Sequence, residues 1–157
     1  SSLFLGFRRD QVRHPLHGFG ALIPAVEHRP ELGMLFSSSL FAGRAPADHV
    51  ALTLMIGGTR QPELARQPTD TLLATVAPSL RDLLGVSGAP CFVRHNFWPA
   101  AIPQYNLGFE RHLATMTECE RRHPGLCLGG NARDGISVPQ CILSGLGAAA
   151  KVAAPRP

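Results

Sequence analysis

The residues with the clearest chemical potential lie near the carboxy end, where an apolar run over residues 126–128 leads into Gly129, Gly130 and Asn131. A polar turn follows, and from Val138 onward the apolar residues take helical spacing. This order predicts a buried strand, a tight glycine-rich turn and the beginning of a helix. Unpaired N–H groups at a helix start favour an anionic or strongly polar ligand. Many such turns only let the chain reverse, so the residues by themselves leave both interpretations open.

Motifs of other catalytic chemistries are missing from the sequence. It contains no Gly-x-Ser-x-Gly, no His-Glu-x-x-His and no Gly-x-Gly-x-x-Gly. The hydroxyls of residues 37–39 have no base placed beside them, which is typical of a loop, and Asp134 stands alone and is expected to shape its turn. The seven histidines form no pair at metal-ligand spacing on a helix, so we predict no metal site.

The composition is that of a globular domain, or of part of a larger one. The 157 residues are 45% hydrophobic and 17% charged, with a net charge of +4 and no dense basic run that would indicate nucleic-acid binding. Four cysteines without a Cys-x-x-Cys pair favour a reducing compartment and hence a cytoplasmic location. Because the chain begins directly in an apolar strand, we expect it to be the carboxy-terminal portion of a longer protein.

The elements that must position these residues follow an α+β order, with strands first and helices last. Apolar runs bounded by glycine and proline predict strands over residues 2–8, 18–24, 32–38 and 49–56, which together indicate an antiparallel sheet, and a fifth strand over 90–97. Thr69 or Asp70 is expected to cap a helix that Gly85 ends and Pro78 kinks or interrupts.

Two further helices are predicted in the last third of the chain. The first begins with Asn106 as its cap and ends before Pro124, and the last begins near Val138, with residues 153–157 as a tail. The segment from Trp98 to Tyr105 holds the only Trp and the only Tyr between stiffening prolines. Such rings could face a planar ligand, or the loop could cover the core, and both interpretations stay open.

Several short motifs, in a fixed order, resemble one enzyme family. They are Gly18-Phe19-Gly20, Leu35-Phe36-Ser37-Ser38-Ser39, Ile56-Gly57-Gly58, Ile102-Pro103-Gln104-Tyr105-Asn106-Leu107-Gly108, the Gly-Asn turn, and Cys141-Ile142 with Ser144-Gly145. Together they resemble the carboxy-terminal third of the oxygen-dependent protoporphyrinogen oxidase family, within the flavin-containing amine oxidase superfamily.

The resemblance implies a two-domain enzyme. Residues 1–97 would be part of a substrate-binding domain with an antiparallel or mixed sheet, and 98–157 a segment that returns to a Rossmann-like FAD-binding domain whose amino-terminal, dinucleotide-binding part is absent. The residues implied to contact the flavin are Phe97, Trp98, Gly130, Asn131, Gly135, Ile136, Ser137 and Val138. Those implied to contact the tetrapyrrole substrate are Phe19, Gly20, Leu22 and Met55.

The implied reaction is the FAD-dependent oxidation of a porphyrinogen, protoporphyrinogen IX or coproporphyrinogen III, with oxygen as acceptor, in heme biosynthesis. The cofactor supplies the difficult chemistry, so no catalytic acid or base is expected. Another enzyme of the superfamily (an amine oxidase or a carotenoid desaturase) and a non-catalytic fragment are the alternatives. The resemblance leaves open whether the protein makes a peripheral membrane contact and whether it forms a homodimer.

Two departures from the family pattern matter here. Gly129 stands where the family usually has Ala, and the phosphate-binding glycine motif is missing. We therefore expect this chain alone to bind FAD weakly or not at all.

Overall fold

The computed structural model describes residues 1–154, which divide into two compact units, one spanning Ser1–Trp98 and the other beginning at Pro99. The first unit is built on a five-stranded antiparallel sheet in the order β2-β3-β4-β1-β5. The strands are β1 Ser2–Arg8, β2 Gly20–Leu22, β3 Glu31–Leu35, β4 His49–Ile56 and β5 Phe92–Asn96. The helices are α1 Ser37–Leu40 and α2 Thr69–Leu84 in the first unit, and α3 Glu110–Arg122 and α4 Val138–Ala153 in the second. The predicted α+β class is confirmed.

The core of the first unit lies between one face of the sheet and helix α2. Leu3, Leu5 and Phe7 alternate along β1 with half-exposed residues, and each pairs with a buried residue of β4. Helix α2 contributes an apolar stripe to the same cluster, formed by Leu72, Val76, Leu80 and Leu84. Because side chains alternate between the two faces of a strand, the opposite face of the sheet is left without this helix.

Sequence patterns located the long elements of this unit well and their caps poorly. Strands β1 and β4 have the predicted bounds, and α2 ends at Gly85, which takes the left-handed conformation with φ +62°. The predicted capping role of Thr69 or Asp70 is wrong, because the N-cap residue is Pro68. The helix also continues without interruption through Pro78, since Val76 and Leu80 are buried on either side of it.

Three strands are shorter in the structure than predicted, namely those over residues 32–38, 18–24 and 90–97. The first ends at Leu35, and Ser37 begins the short helix α1. That helix contacts β4, with the hydroxyls of Ser37 and Thr53 2.7 Å apart. It therefore covers the part of the second sheet face around Ala51, which is 1% exposed.

Two predictions for the second unit are corrected by the structure. Asn106 does not cap α3, which begins at Glu110, and its carbonyl instead accepts the Phe109 N–H at 3.0 Å in the preceding turn. Residues 126–128 do not form a strand, because no strand of the described residues pairs with them and the Leu128 N–H bonds the Glu120 carboxylate at 2.8 Å.

The last helix begins at Val138, as predicted. Ala153, predicted as the start of the tail, is instead its final residue, and residues 155–157 of that tail lie outside the described part. None of the helices within residues 1–154 has the length and apolar character that a membrane crossing requires.

Candidate functional site

The sheet register brings three of the four predicted substrate-contacting residues to one face, opposite to α2. Two rows of paired residues cross this face from β2 to β5. One row is Leu22, Gly33, Met55, Ser2 and Asn96, and the next is Gly20, Leu35, Thr53, Phe4 and Arg94. We call these ten residues the open sheet face. Gly20, Leu22 and Met55 therefore share a surface, although they are far apart in sequence.

The open sheet face carries accessible apolar side chains beside the polar residues Ser2, Thr53 and Asn96. Leu22 is 88% exposed and Met55 is 38% exposed. Phe92, two residues before Arg94 on β5, packs edge to face against Phe4 with ring centroids 6.1 Å apart. Large exposed apolar side chains gathered on one surface are typical of a binding site rather than of a solvated face.

Gly20 is required where β2 meets β3. Its φ is +148°, and a Cβ at this position would lie 2.0 Å from the carbonyl oxygen of Met34. Only glycine permits this approach. Phe19 precedes the strand, so the register does not place its 69% exposed ring in either row of the face.

The structure separates the two aromatic residues predicted beside the flavin. The indole N–H of Trp98 donates to the Ser2 hydroxyl at 3.1 Å, which brings Trp98 to the open sheet face at the row that contains Met55. The ring of Phe97 instead lies under the guanidinium of Arg66, with the Cζ atom 5.9 Å from the ring centroid. Trp98 thus adjoins the predicted substrate residues, whereas Phe97 is partly covered by a cation.

In the second unit, the remaining predicted flavin residues form a turn that leads into α4. Gly130 and Gly135 have φ values of +94° and +120°, which allow the chain to reverse sharply. Ser137 caps the helix: its hydroxyl accepts the Gln140 N–H at 3.3 Å, and the Gln140 side-chain carbonyl accepts the Ser137 N–H at 3.1 Å. This capping box satisfies two of the N–H groups that the sequence suggested would be free.

Three N–H groups at the same turn keep no partner among residues 1–154. They belong to Gly135, Ile136 and Val138. Pro139 has no N–H, so the helix start offers fewer donors than a regular one. The three remaining donors stand at the positive end of a 16-residue helix, where they fit the hydrogen-bond acceptors of a cofactor such as a flavin.

Side chains from distant segments hold this turn in place. The Tyr105 hydroxyl donates to the carbonyl of Asn131, which joins the Ile-Pro-Gln-Tyr motif to the Gly-Asn turn. Ser144 accepts the Gly130 N–H at 2.7 Å and donates to Asp134. Asp134 thus acts in the turn, and Tyr105 is a site residue that sequence reasoning did not assign, although the loop that carries it was singled out.

Ser144 also accounts for one departure from the family pattern. A Cβ on Gly129 would lie 2.6 Å from the Ser144 hydroxyl oxygen, which is closer than real contacts allow. The glycine at this position therefore leaves room for the hydroxyl that binds Gly130.

A half-buried ion pair anchors the segment before the turn. Arg133 lies 2.8 Å from the Glu120 carboxylate and donates to the Leu128 carbonyl at 3.0 Å. The Leu128 N–H and then Arg133 hold the pKa of Glu120 below its ordinary value, because both stabilise the ionised carboxylate. These bonds replace the strand pairing that the sequence predicted for residues 126–128.

The comparisons with known proteins agree with one another on the family. The family model described as flavin containing amine oxidoreductase matches residues 1–153. The chain is 41% identical over 152 residues to protoporphyrinogen oxidase 2, chloroplastic/mitochondrial, of Arabidopsis thaliana, covering 95% of this chain and 30% of that protein. It is 39% identical to the mitochondrial protoporphyrinogen oxidase of Nicotiana tabacum, covering 91% of this chain and 29% of that one. The predicted resemblance is confirmed, and the chain spans about a third of the length of these relatives.

Two further matches extend this result. The coproporphyrinogen III oxidase of Propionibacterium freudenreichii is 34% identical over 114 residues, covering 72% of this chain and 21% of that protein. A crystal structure of a candidate protoporphyrinogen oxidase from Exiguobacterium sp. 255-15 superposes with a TM-score of 0.77 at 22% identity, covering 91% of this chain and 32% of that one. This likeness supports the fold.

Proposed function

The chain belongs to the family of flavin containing amine oxidoreductases, and from this we propose that it forms part of an enzyme that oxidises a porphyrinogen with FAD as cofactor. The relatives named as protoporphyrinogen and coproporphyrinogen oxidases support the substrate class. The observation that carries the proposal is the open sheet face, because Gly20, Leu22 and Met55 share it and Trp98 adjoins it. A tetrapyrrole presents a broad apolar surface that such a face can receive.

In this proposal, the residues of the chain contact and position the substrate and the cofactor. Leu22 and Met55 contact the macrocycle and exclude water from it, while Gly20 keeps β2 close enough to complete the surface. The free N–H groups of Ile136 and Val138 donate hydrogen bonds to the cofactor at the start of α4. FAD, when bound, supplies the acceptor for the hydride that the substrate loses. We extend the proposal to oxygen as the final acceptor.

The other residues of the turn have supporting roles in this proposal. Gly130, Asn131, Gly135 and Ser137 shape the approach to the cofactor, with Asn131 held by Tyr105. Phe97 and Trp98 stay predicted contacts of the flavin, and Phe19 stays a predicted contact of the substrate. A cytoplasmic location, a peripheral membrane contact and a homodimer stay predictions as well.

A chimeric enzyme tests the proposal. This chain replaces the matching segment of the Arabidopsis protoporphyrinogen oxidase 2, to which it is 41% identical. We expect a yellow protein with a flavin spectrum that converts a porphyrinogen into a fluorescent porphyrin. In the same chimera, Met55→Asp should keep the flavin spectrum and lose turnover, because a carboxylate would then lie on the apolar face. Val26→Asp is the matched control, since Val26 is 76% exposed and lies outside that face.

The contrary outcomes are distinct. A yellow chimera that oxidises an amine but not a porphyrinogen would contradict the substrate class and favour the amine oxidase alternative. A colourless chimera would contradict the cofactor contacts and favour a non-catalytic chain.

A further inference from the structure

We propose that Arg94 recognises the substrate by binding one of the carboxylates at the rim of the tetrapyrrole that lies on the open sheet face. This inference rests on the proposed function and deepens it, because it assigns a specificity-determining residue to the same surface. Neither the sequence motifs nor the family pattern pointed to Arg94.

The register fixes the side of the sheet on which Arg94 lies. On β5 it pairs with Phe4 of β1, which in turn pairs with Thr53 of β4. Phe92, two residues earlier on the same strand, packs against the ring of Phe4. Since residues two apart on a strand share a face, Arg94 stands on the open face and not on the face covered by α2.

The charge of Arg94 is without a partner in the described part of the chain. No carboxylate of residues 1–154 forms an ion pair or hydrogen bond with it, whereas Arg29 and Arg133 each contact a carboxylate, at 2.5 Å and 2.8 Å. The other nine residues of the open sheet face carry no ionisable side chain. A single cation therefore stands at one end of a surface that carries no other charge.

This arrangement is complementary to a porphyrinogen. The macrocycle is apolar across its rings and carries propionate carboxylates at its rim. Met55 lies on β4 and Arg94 on β5, two strand spacings or about 10 Å apart across the sheet. A ring resting on Met55 and Phe4 would place a rim carboxylate at the guanidinium, which can bind it through two parallel N–H donors.

A solvated surface arginine is the simpler interpretation, and two features argue against it. The neighbours of Arg94 on this face are Phe4, Phe92 and Asn96, none of which is acidic. In addition, β5 is the edge strand next to the unit's only Trp, so the charge flanks the surface on which Trp98 already lies.

The test uses the fluorescence of Trp98, the single Trp of the whole chain. The intact 157-residue chain is titrated with protoporphyrin IX, a dicarboxylate, and with its uncharged dimethyl ester, and quenching of Trp98 reports binding. The variants are Arg94→Gln, which removes the charge, and Arg94→Lys, which keeps it. Arg111→Gln is the matched control, because Arg111 is an exposed arginine of the second unit and loses the same charge. Circular dichroism establishes that each variant is folded.

We expect Arg94→Gln to weaken binding of the dicarboxylate by about three- to tenfold, as for a charge-assisted contact at a partly covered surface. Binding of the ester should stay unchanged, Arg94→Lys should restore most of the loss, and Arg111→Gln should have no effect. The difference between acid and ester should also shrink as salt is added.

Two failures can be told apart. If the wild-type chain binds both porphyrins and Arg94→Gln weakens neither or both equally, the role of Arg94 is overturned while the open sheet face stands. If the wild-type chain quenches with neither porphyrin, the tetrapyrrole surface itself is overturned, and the role of Arg94 with it.

Discussion

Replacing Gly20 by Ala should detach β2 from the sheet, and Gly18→Ala provides a control only two residues away. Both glycines have positive φ, +109° at Gly18 and +148° at Gly20. A Cβ on Gly18 has no atom within 4 Å, whereas a Cβ on Gly20 would lie 2.0 Å from the Met34 carbonyl oxygen and 2.9 Å from the Leu35 Cα. The two substitutions therefore share the conformational strain, and only Gly20→Ala adds an overlap with backbone.

The expected magnitudes follow from that difference. Placing a Cβ at a positive φ costs about 1–2 kcal/mol, which is the whole effect expected for Gly18→Ala. Relief of the overlap requires β2 to move away from β3, which breaks the pairing of three residues. At about 1 kcal/mol net for each ladder hydrogen bond, this adds about 2–3 kcal/mol. We expect Gly20→Ala to lower the free energy of unfolding by about 3–5 kcal/mol in all.

Urea denaturation followed by circular dichroism measures both variants against the wild type. Porphyrin quenching of Trp98 provides a second readout, since loss of β2 removes Leu22 from the open sheet face. If the free energies of unfolding of the two variants agree within about 0.5 kcal/mol, the close approach of β2 to β3 is not what requires Gly20.

Three further predictions concern polar contacts. Ser79→Ala should lower the free energy of unfolding by about 1–3 kcal/mol in urea denaturation. The reason is that Glu31 is fully buried and Ser79 binds one of its carboxylate oxygens, while its other carboxylate oxygen has no partner within residues 1–154. In Glu120→Gln, the free energy of unfolding, measured by circular dichroism, should fall less steeply as the pH is lowered into the acid range (the acid limb). The folded pKa of Glu120 lies below the ordinary 4.5, so its contribution is present above that pH and is lost as pH falls below it. Ser137→Ala should cost about 1 kcal/mol in thermal unfolding of the helical signal, because the cap of α4 is lost.

Each of these has a control of the same residue type. Ser39→Ala removes an exposed hydroxyl that has no hydrogen-bond partner in the described residues, and should change stability little. Glu110→Gln removes a carboxylate of α3 that forms no ion pair there, and should leave the acid limb intact. An acid limb that Glu120→Gln leaves unchanged would show that the bonds from Leu128 and Arg133 do not set the stability of this segment.

Much of the candidate site could be predicted from sequence because its motifs are local. The helix start at Val138 was correct because Ser137, Pro139 and the apolar spacing all act within one turn. The cap at Asn106 and the strand at 126–128 were wrong for the opposite reason. Local propensity favoured them, but Phe109 is the N-cap residue of a helix that begins at Glu110, and Glu120 takes the hydrogen bond that a neighbouring strand would have formed.

The buried sides of β1 and α2 could be predicted from the sequence alone. Short-range periodicity decides which side of an element is buried, and it is visible in the alternation of Leu3, Leu5 and Phe7 and in the helical spacing of α2. What the sequence could not decide was which strands lie side by side. That pairing is a long-range choice, and it alone brings Gly20, Leu22, Met55 and Arg94 to one surface and sets Trp98 beside it while Phe97 lies under Arg66. Residues far apart in the chain become neighbours only through backbone hydrogen bonds between strands, and no local pattern records those bonds.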